Sequence, residues 1–278
     1  MKYCDLHNHS VYSDGTYTPR ELLEYAKEKG LLAIALTDHN CVDGADELEK
    51  YAKEIGIEAV VGSELTTEYK GKETHLLALF IDEGAREEMK EFFKERKRLK
   101  SQSNEQLAKA LIKGGYEIDF EGMKKEYKSI NRAHFSKELV KKGYVKDSNE
   151  AFATLLKEGN GFYVSCPRPG LLDTIEWVRS IGALPVLAHP LLSLESDEVE
   201  ELLPLAKEKG LCGIECYYGL FTPEQVEYLC QLADKHGLIK SGGSDFHGSM
   251  KEGVDLGYAN VPYSAYLKLR NEILKPSP

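Results

Sequence analysis

The chain lacks three things that would each have narrowed its role: an excess of positive charge, a long apolar run and a paired-cysteine motif. Lys and Arg number 36 against 46 Asp and Glu, a formal net charge of −10 with a pI near 5.4. Without a broad basic face the chain is unsuited to long duplex nucleic acid, whose binding requires many phosphates to be neutralised. Short or single nucleotides remain open as ligands. No apolar stretch has the length of a membrane span or a signal-peptide core, so a cytoplasmic protein without a membrane partner is expected. The six cysteines, Cys4, Cys41, Cys166, Cys212, Cys216 and Cys230, form no CxxC pair, which argues against a zinc knuckle or disulfide framework and for free, mostly buried thiols.

What is present is a chain of 278 residues with 42% hydrophobic side chains, enough for one α/β barrel or a barrel with a small insert. Short apolar runs alternate with amphipathic helical stretches at both ends, the pattern of a parallel α/β sheet or barrel. Strands are predicted at Tyr3 to Leu6, Leu31 to Leu36, Ala59 to Val61 and Leu76 to Ile81. Thr18-Pro19 opens a helix that Gly30 ends, and a second helix runs from Asp43 to Ile55. The stretch 83–162 is lysine-rich and helix-patterned, with no strand before Gly161 to Val164, and reads as an inserted helical subdomain or cap. Residues 1–82 and 163–278 are expected to form the barrel together. In the second part, strands are predicted at Leu184 to Leu187, Gly213 to Cys216 and Leu238 to Lys240. Helices are predicted over 171–180, 196–209, 223–236 and 264–274.

Every histidine except His236 sits at a strand end or in a short polar motif. His7 and His9 stand two apart at a strand end, so both imidazoles point to one side and can share an ion. Asp14 follows on the loop. Asp38-His39 closes the second strand, Glu64 the third, and His75 begins the fourth; Arg132 and His134 lie in the insert, and His189, Asp245 and His247 come later at strand ends. In a barrel of parallel strands, such residues converge on one face whatever their separation in sequence. Mixed imidazole and carboxylate ligands suit Zn²⁺, Mn²⁺ or Fe, whereas Mg²⁺ alone favours oxygen ligands and water. Any one of these histidines alone is more readily a structural residue. Together they are costly to bury without a shared charge to bind. His236, before Gly237, reads as a helix-end residue, and Asp38 and Ser244 also fit turns.

The set His7-x-His9, Ser13-Asp14-Gly15, Thr37-Asp38-His39, Gly62-x-Glu64, Ala188-His189-Pro190 and Gly243-Ser244-Asp245-x-His247 resembles the polymerase and histidinol phosphatase (PHP) superfamily of metal-dependent phosphoesterases. Thr74-His75-Leu76, Arg132-Ala133-His134-Phe135 and Gly161 to Val164 resemble its bacterial branch acting on nucleoside 3′,5′-bisphosphates and short oligonucleotides. The likeness covers nearly the whole chain. It implies a distorted (β/α)7 barrel with two or three divalent ions (Mn, Zn or Fe) at the carboxyl ends of the strands. By position it implies one ion site from His7, His9, Glu64 and Asp245, with Glu64 bridging to a second ion held by His75 and His134. A third would use Asp14, His39 and His247; Asp14 stands where some members have histidine. His189 and Arg132 are left to grip the substrate phosphate, with His189 also a donor to the leaving group. Arg132 reads equally well as a surface charge.

The implied reaction is hydrolysis of a phosphomonoester or short phosphodiester of a nucleotide by a metal-bridging hydroxide, with Asp38 orienting His39 as a hydrogen-bond acceptor. The expected partner is a small phosphorylated substrate, a nucleotide or short oligonucleotide. Alternatives are a histidinol-phosphate phosphatase and a metal-binding PHP module without turnover. An amidohydrolase barrel usually depends on a bridging lysine, for which no strand-end motif is found. In the insert, Gly159-Asn160-Gly161 with Phe162 and Tyr163 suggests either a turn leading to base-stacking aromatics or core packing.

Overall fold

A computed structural model describes all residues except 1, 128–129, 160–161, 165, 252 and 276–278. It divides into two units, Met1–Glu91 with Arg168–Pro278, and Phe92–Pro167. The long helix α3 (Glu83–Lys113) begins in the first and continues into the second. The first unit extends past residue 82 because the opening turns of α3 bury Ala85 and Met89, and Arg86 pairs with Asp46 and Glu49.

The first unit is a barrel. Its strands are β1 (Tyr3–Asp5), β2 (Ala33–Leu36), β3 (Glu58–Tyr69), β4 (Lys72–Leu79), β5 (Leu184–Ala188), β6 (Gly213–Tyr218) and β7 (Ile239–Gly243), each hydrogen-bonded to the next in this order. The Leu6 N–H donates to the Gly242 carbonyl at 3.1 Å, which brings the end of β1 to β7. A two-residue strand β8 (Val261–Pro262) lies antiparallel on the outer start of β1. Gly243 is needed for the closure, because a Cβ there would come within 2.3 Å of the His7 Cβ.

The sheet is not the uniform parallel sheet that the alternation suggested. β3 and β4 form an antiparallel hairpin, and β4 is also antiparallel to β5. The turn is Lys70-Gly71, with φ of 50° and 78°, the backbone that a two-residue hairpin requires. The reversal explains the odd position of His75, which precedes its apolar run where the other site residues follow theirs. On a reversed strand, the residues before that run lie at the carboxyl ends of the neighbours, and His75 pairs in register with Thr66 and Ala188.

Helices α1 (Pro19–Glu28), α2 (Ala45–Ile55), α7 (Leu171–Ser180), α8 (Ser196–Glu208), α9 (Pro223–His236) and α10 (Tyr263–Ile273) belong to this unit. Thr18 and Thr222 close capping boxes with Glu21 and Gln225, and proline follows each cap, so α1 and α9 start where their sequences prepare them to. Leu6, Leu77, Leu79, Leu184 and Val186 are fully buried in the core, each worth about 1.5–3 kcal/mol of transfer free energy. The six cysteines are free, and Cys4, Cys41, Cys212 and Cys216 are buried. Among the described residues, no helix is long and apolar enough to cross a membrane.

The second unit comprises the rest of α3 with α4 (Phe120–Glu126), α5 (Arg132–Lys141) and α6 (Ser148–Ala153). Leu107, Leu111, Phe135, Leu139 and Leu156 form its own core. The strand expected over Gly161 to Val164 is absent among the described residues: Tyr163 makes one isolated bridge to Glu158, and Asn160 and Gly161 lie outside them. Phe162 packs edge-on against Tyr116 at 5.6 Å, which makes it a core residue.

Candidate metal centre

The carboxyl ends of β1, β2, β5 and β7, with the middle of β3 and the reversed β4, bring His7, His9, Asp14, His39, Glu64, His75, His189, Asp245 and His247 into overlapping groups of potential ligands. Within each group the donor atoms lie within 4.8 Å of one another. In the first, the His9 Nε2 stands 3.3 Å from Glu64 Oε2 and 3.1 Å from Asp245 Oδ1, and the His7 Nε2 stands 3.4 and 3.5 Å from the same two oxygens. In the second, Glu64 turns its other oxygen, Oε1, to His75 Nδ1 at 2.7 Å and His189 Nε2 at 3.0 Å. The third places Asp14 3.3 Å from His247, 3.6 Å from His39 and 3.7 Å from His9.

These residues fit divalent ions on the chemistry of their donors. The His7 and His9 Nε2, Glu64 Oε2 and His75 Nδ1 are buried without a hydrogen-bond partner among the described residues. Buried polar atoms left unpaired are costly, so atoms that converge without hydrogen-bond geometry behave as a ligand cradle. Glu64 belongs to two groups at once, one through each oxygen.

Charge is concentrated here. Burial opposes protonation of His7, yet Glu215, Glu64 and Asp245 outweigh it and hold its pKa well above the ordinary value. Burial raises the Glu64 carboxyl, but the imidazoles of His7, His189 and His39 drive it well below the carboxylate range. For His75, burial is outweighed by Glu64 and Glu73, which lift its pKa to about 10. For Asp14, burial is outweighed by His247, His39 and His9, which lower its carboxyl to about 2. In the metal-free protein, the nearby carboxylates thus favour the protonated form of His7 and His75.

Two main-chain distortions serve the site. Asp245 has φ of 56° and His189 φ of 22°, conformations that cost energy in residues with a Cβ and that persist only where their surroundings impose them. The Asp245 N–H donates to the His7 carbonyl at 2.9 Å, and the His189 N–H to Glu215 Oε2 at 2.8 Å.

Glu215 was missed in the sequence. Fully buried on β6, it also accepts from His7 Nδ1 at 3.1 Å, which orients that imidazole so that Nε2 faces the cradle. A glutamate inside the apolar run Gly213-Ile214-Glu215-Cys216 was the available signal, since a strand buries a carboxylate only for a partner. Asp38 corrects an expectation. It accepts from the Ser10 N–H at 2.8 Å and from the hydroxyls of Ser10 and Ser13 at 2.7 and 2.6 Å, so it shapes the loop that carries Asp14 and does not orient His39.

Arg132 and His134 lie in the helical unit, at the start of α5. The Asn131 side chain caps that helix, and His134 Nδ1 accepts the Asn131 N–H at 3.1 Å while its ring lies tilted against that of Tyr127, centroids 3.9 Å apart. Burial, with Lys137 and Lys100 nearby, lowers the His134 pKa. The Arg132 guanidinium lies 4.4 Å from the Tyr163 ring centroid and 5.6 Å from that of Phe152. The half-buried Tyr163 therefore contacts an arginine within its own unit.

A barrel with imidazoles and carboxylates gathered at one end of its strands is the architecture of a metal-dependent hydrolase. The model of the PHP domain matches residues 5–164, and the chain belongs to that family. It is 32% identical to a 5′-3′ exoribonuclease of Haemophilus influenzae, over 88% of this chain and 90% of the relative. It is 30% identical to a 3′,5′-nucleoside bisphosphate phosphatase of Chromobacterium violaceum over the full length of both. A solved structure from Bifidobacterium adolescentis, assigned as a metal-dependent phosphoesterase, superposes with a TM-score of 0.73 at 27% identity, covering 96% of this chain and 95% of that one. The chain is thus an enzyme of the phosphoric ester hydrolase class.

Proposed function

We propose that the substrate is a small nucleotide ester, either the 3′-phosphate of a nucleoside 3′,5′-bisphosphate or the 5′ end of a short oligonucleotide, and that the enzyme works in the cytoplasm. The observation that carries this reading is Glu64, whose two oxygens face two separate groups of histidines. His7, His9, Glu64 and Asp245 would hold one ion, Glu64 with His75 a second, and Asp14, His39 and His247 a third, of Mn, Zn or Fe. Bound there, divalent ions lower the pKa of water and neutralise charge on phosphoryl oxygens. Glu215 holds His7 in the ligating orientation, and the Asp38 loop holds Asp14.

His189 and Arg132 keep the roles of gripping phosphate, with His189 the donor to the leaving oxygen and His134 an additional ligand beside His75. His189 Nε2 now faces Glu64, and one nitrogen cannot both bind an ion and donate a proton. The phosphate-gripping role requires His189→Ala to lower turnover with the full metal complement retained. The cavity beside the cluster, about 400 Å³, accommodates a compact ester.

The test is phosphate release from adenosine 3′,5′-bisphosphate by Mn²⁺-supplemented protein, with 5′-AMP and histidinol phosphate in parallel and His9→Ala as control. Chelator-sensitive release from the bisphosphate supports the proposal. Release only from histidinol phosphate overturns it.

A further inference from the structure

Asp245 is held from two sides, and only one of them belongs to the imidazole cluster. Its Oδ1 faces His9, His7 and His247 at 3.1, 3.5 and 3.5 Å. Its Oδ2 accepts from the Tyr218 hydroxyl at 2.8 Å and from the Lys251 ammonium at 2.5 Å. Lys251 also donates to the Tyr218 oxygen at 3.0 Å, so the three side chains form a closed triangle. Tyr218 ends β6 and is buried, with its ring 5.2 Å from that of His189 and 4.9 Å from that of Phe221. Its hydroxyl is therefore delivered by a fixed ring. Lys251 follows the 3₁₀ turn Gly248–Met250 and is the only lysine or arginine among the described residues lining the cavity beside the cluster.

A carboxylate with two unencumbered oxygens can bind one ion through both, bind through either, or bridge two ions. With two donors saturating one oxygen, one of them charged, it offers the other oxygen alone and in a fixed direction. The left-handed backbone at Asp245 points the same way, because its strain is maintained by the contacts that fix the residue. We propose that Tyr218 and Lys251 are positioning residues that make Asp245 a one-oxygen ligand, through Oδ1, to the ion shared with His7, His9 and Glu64. The asymmetry between Asp245 and Glu64 follows: Glu64 has both oxygens turned toward imidazoles and can serve two ions, whereas Asp245 serves one. The inference rests on the proposed metal centre and adds to it the residues that set its geometry.

The test is competition of the intact protein with a chromogenic chelator for Mn²⁺ and Zn²⁺, applied to wild type, Lys251→Met, Tyr218→Phe and Lys251→Arg, with the visible spectrum of the Co²⁺-loaded proteins as a second readout. Lys251→Met and Tyr218→Phe are expected to weaken one ion by roughly 10–100-fold, the range for partners that orient a ligand. The Co²⁺ bands should shift, and Lys251→Arg should restore both readouts. Unchanged affinity and spectra in both Lys251→Met and Tyr218→Phe overturn the proposal. So does a rise in KM with metal binding intact, which would make Lys251 a substrate contact. Failure of wild type to bind any divalent ion overturns the metal centre itself, a result distinct from wild-type binding that the variants leave untouched. Matching circular dichroism and thermal melts of the metal-free proteins separate a local effect from misfolding.

Discussion

The barrel and the helical unit use polar residues in opposite ways. In the barrel, Asp5, His7, His9, Asp38, Glu64 and Glu215 are buried; Asp5 accepts from main-chain N–H groups, Asp38 from Ser10 and Ser13 and Glu215 from His7, while His7, His9 and Glu64 turn unpaired atoms to the ligand cradle. In the helical unit, Lys124 pairs with Glu121 and Lys142 with Glu117, all with substantial solvent contact, while Leu107, Leu111, Phe135 and Leu139 are fully buried. Exposed pairs of this kind contribute about 0–1 kcal/mol each, so the helical unit is held by its apolar core. The barrel spends stability on placing charges, and the helical unit does not. Perturbations should accordingly separate chemistry from stability.

The largest effect is expected at Glu64. Glu64→Gln removes the charge that two groups of histidines share, and hydrolysis should fall on the order of 10³-fold or more, equivalent to several kcal/mol of lost charge stabilisation. Steady-state kinetics with metal analysis check this, and retention of both activity and metal would break the comparison. Next is Phe135→Ala in the helical core, expected to cost about 3–5 kcal/mol. Hydrogen exchange should show that loss in α3 to α6, with the ion held by His7, His9, Glu64 and Asp245 preserved; loss of that ion as well would show that this group depends on the second unit.

A smaller effect concerns the metal-free barrel. The pKa of His75 is raised in the folded state to about 10, so its contribution is complete below the unfolded value near 6.5 and is lost as pH rises through about 10. Melting temperature of the apo protein should drift down across that window. The drift is modest because His75 shares Glu64 with His7, His9, His39 and His189, and the titration belongs to the cluster. Metal saturation should reverse the trend, since ligands must be deprotonated to bind.

The barrel was legible in the sequence wherever an apolar run ended in a histidine or acid, as at His7, His39, Glu64 and Asp245. The β3–β4 hairpin was not, because Lys70-Gly71 is an unobtrusive turn and residues 65–75 mix polar with apolar side chains. Glu215 and Lys251 escaped for different reasons. Glu215 lies inside a strand where periodicity expects an apolar residue, and Lys251 lies in a polar loop whose contact with Asp245 depends on the folded path of residues 248–251. Asp38 was placed correctly beside His39 in sequence and wrongly in space, since adjacent residues of an extended chain point to opposite sides.

The most direct test of the centre is elemental analysis of Mn²⁺-reconstituted wild-type protein beside Glu64→Gln. A bridging Glu64 requires more than one ion per chain in wild type and a clear loss in the variant. One ion or none in wild type, or equal stoichiometry in the two proteins, would contradict it.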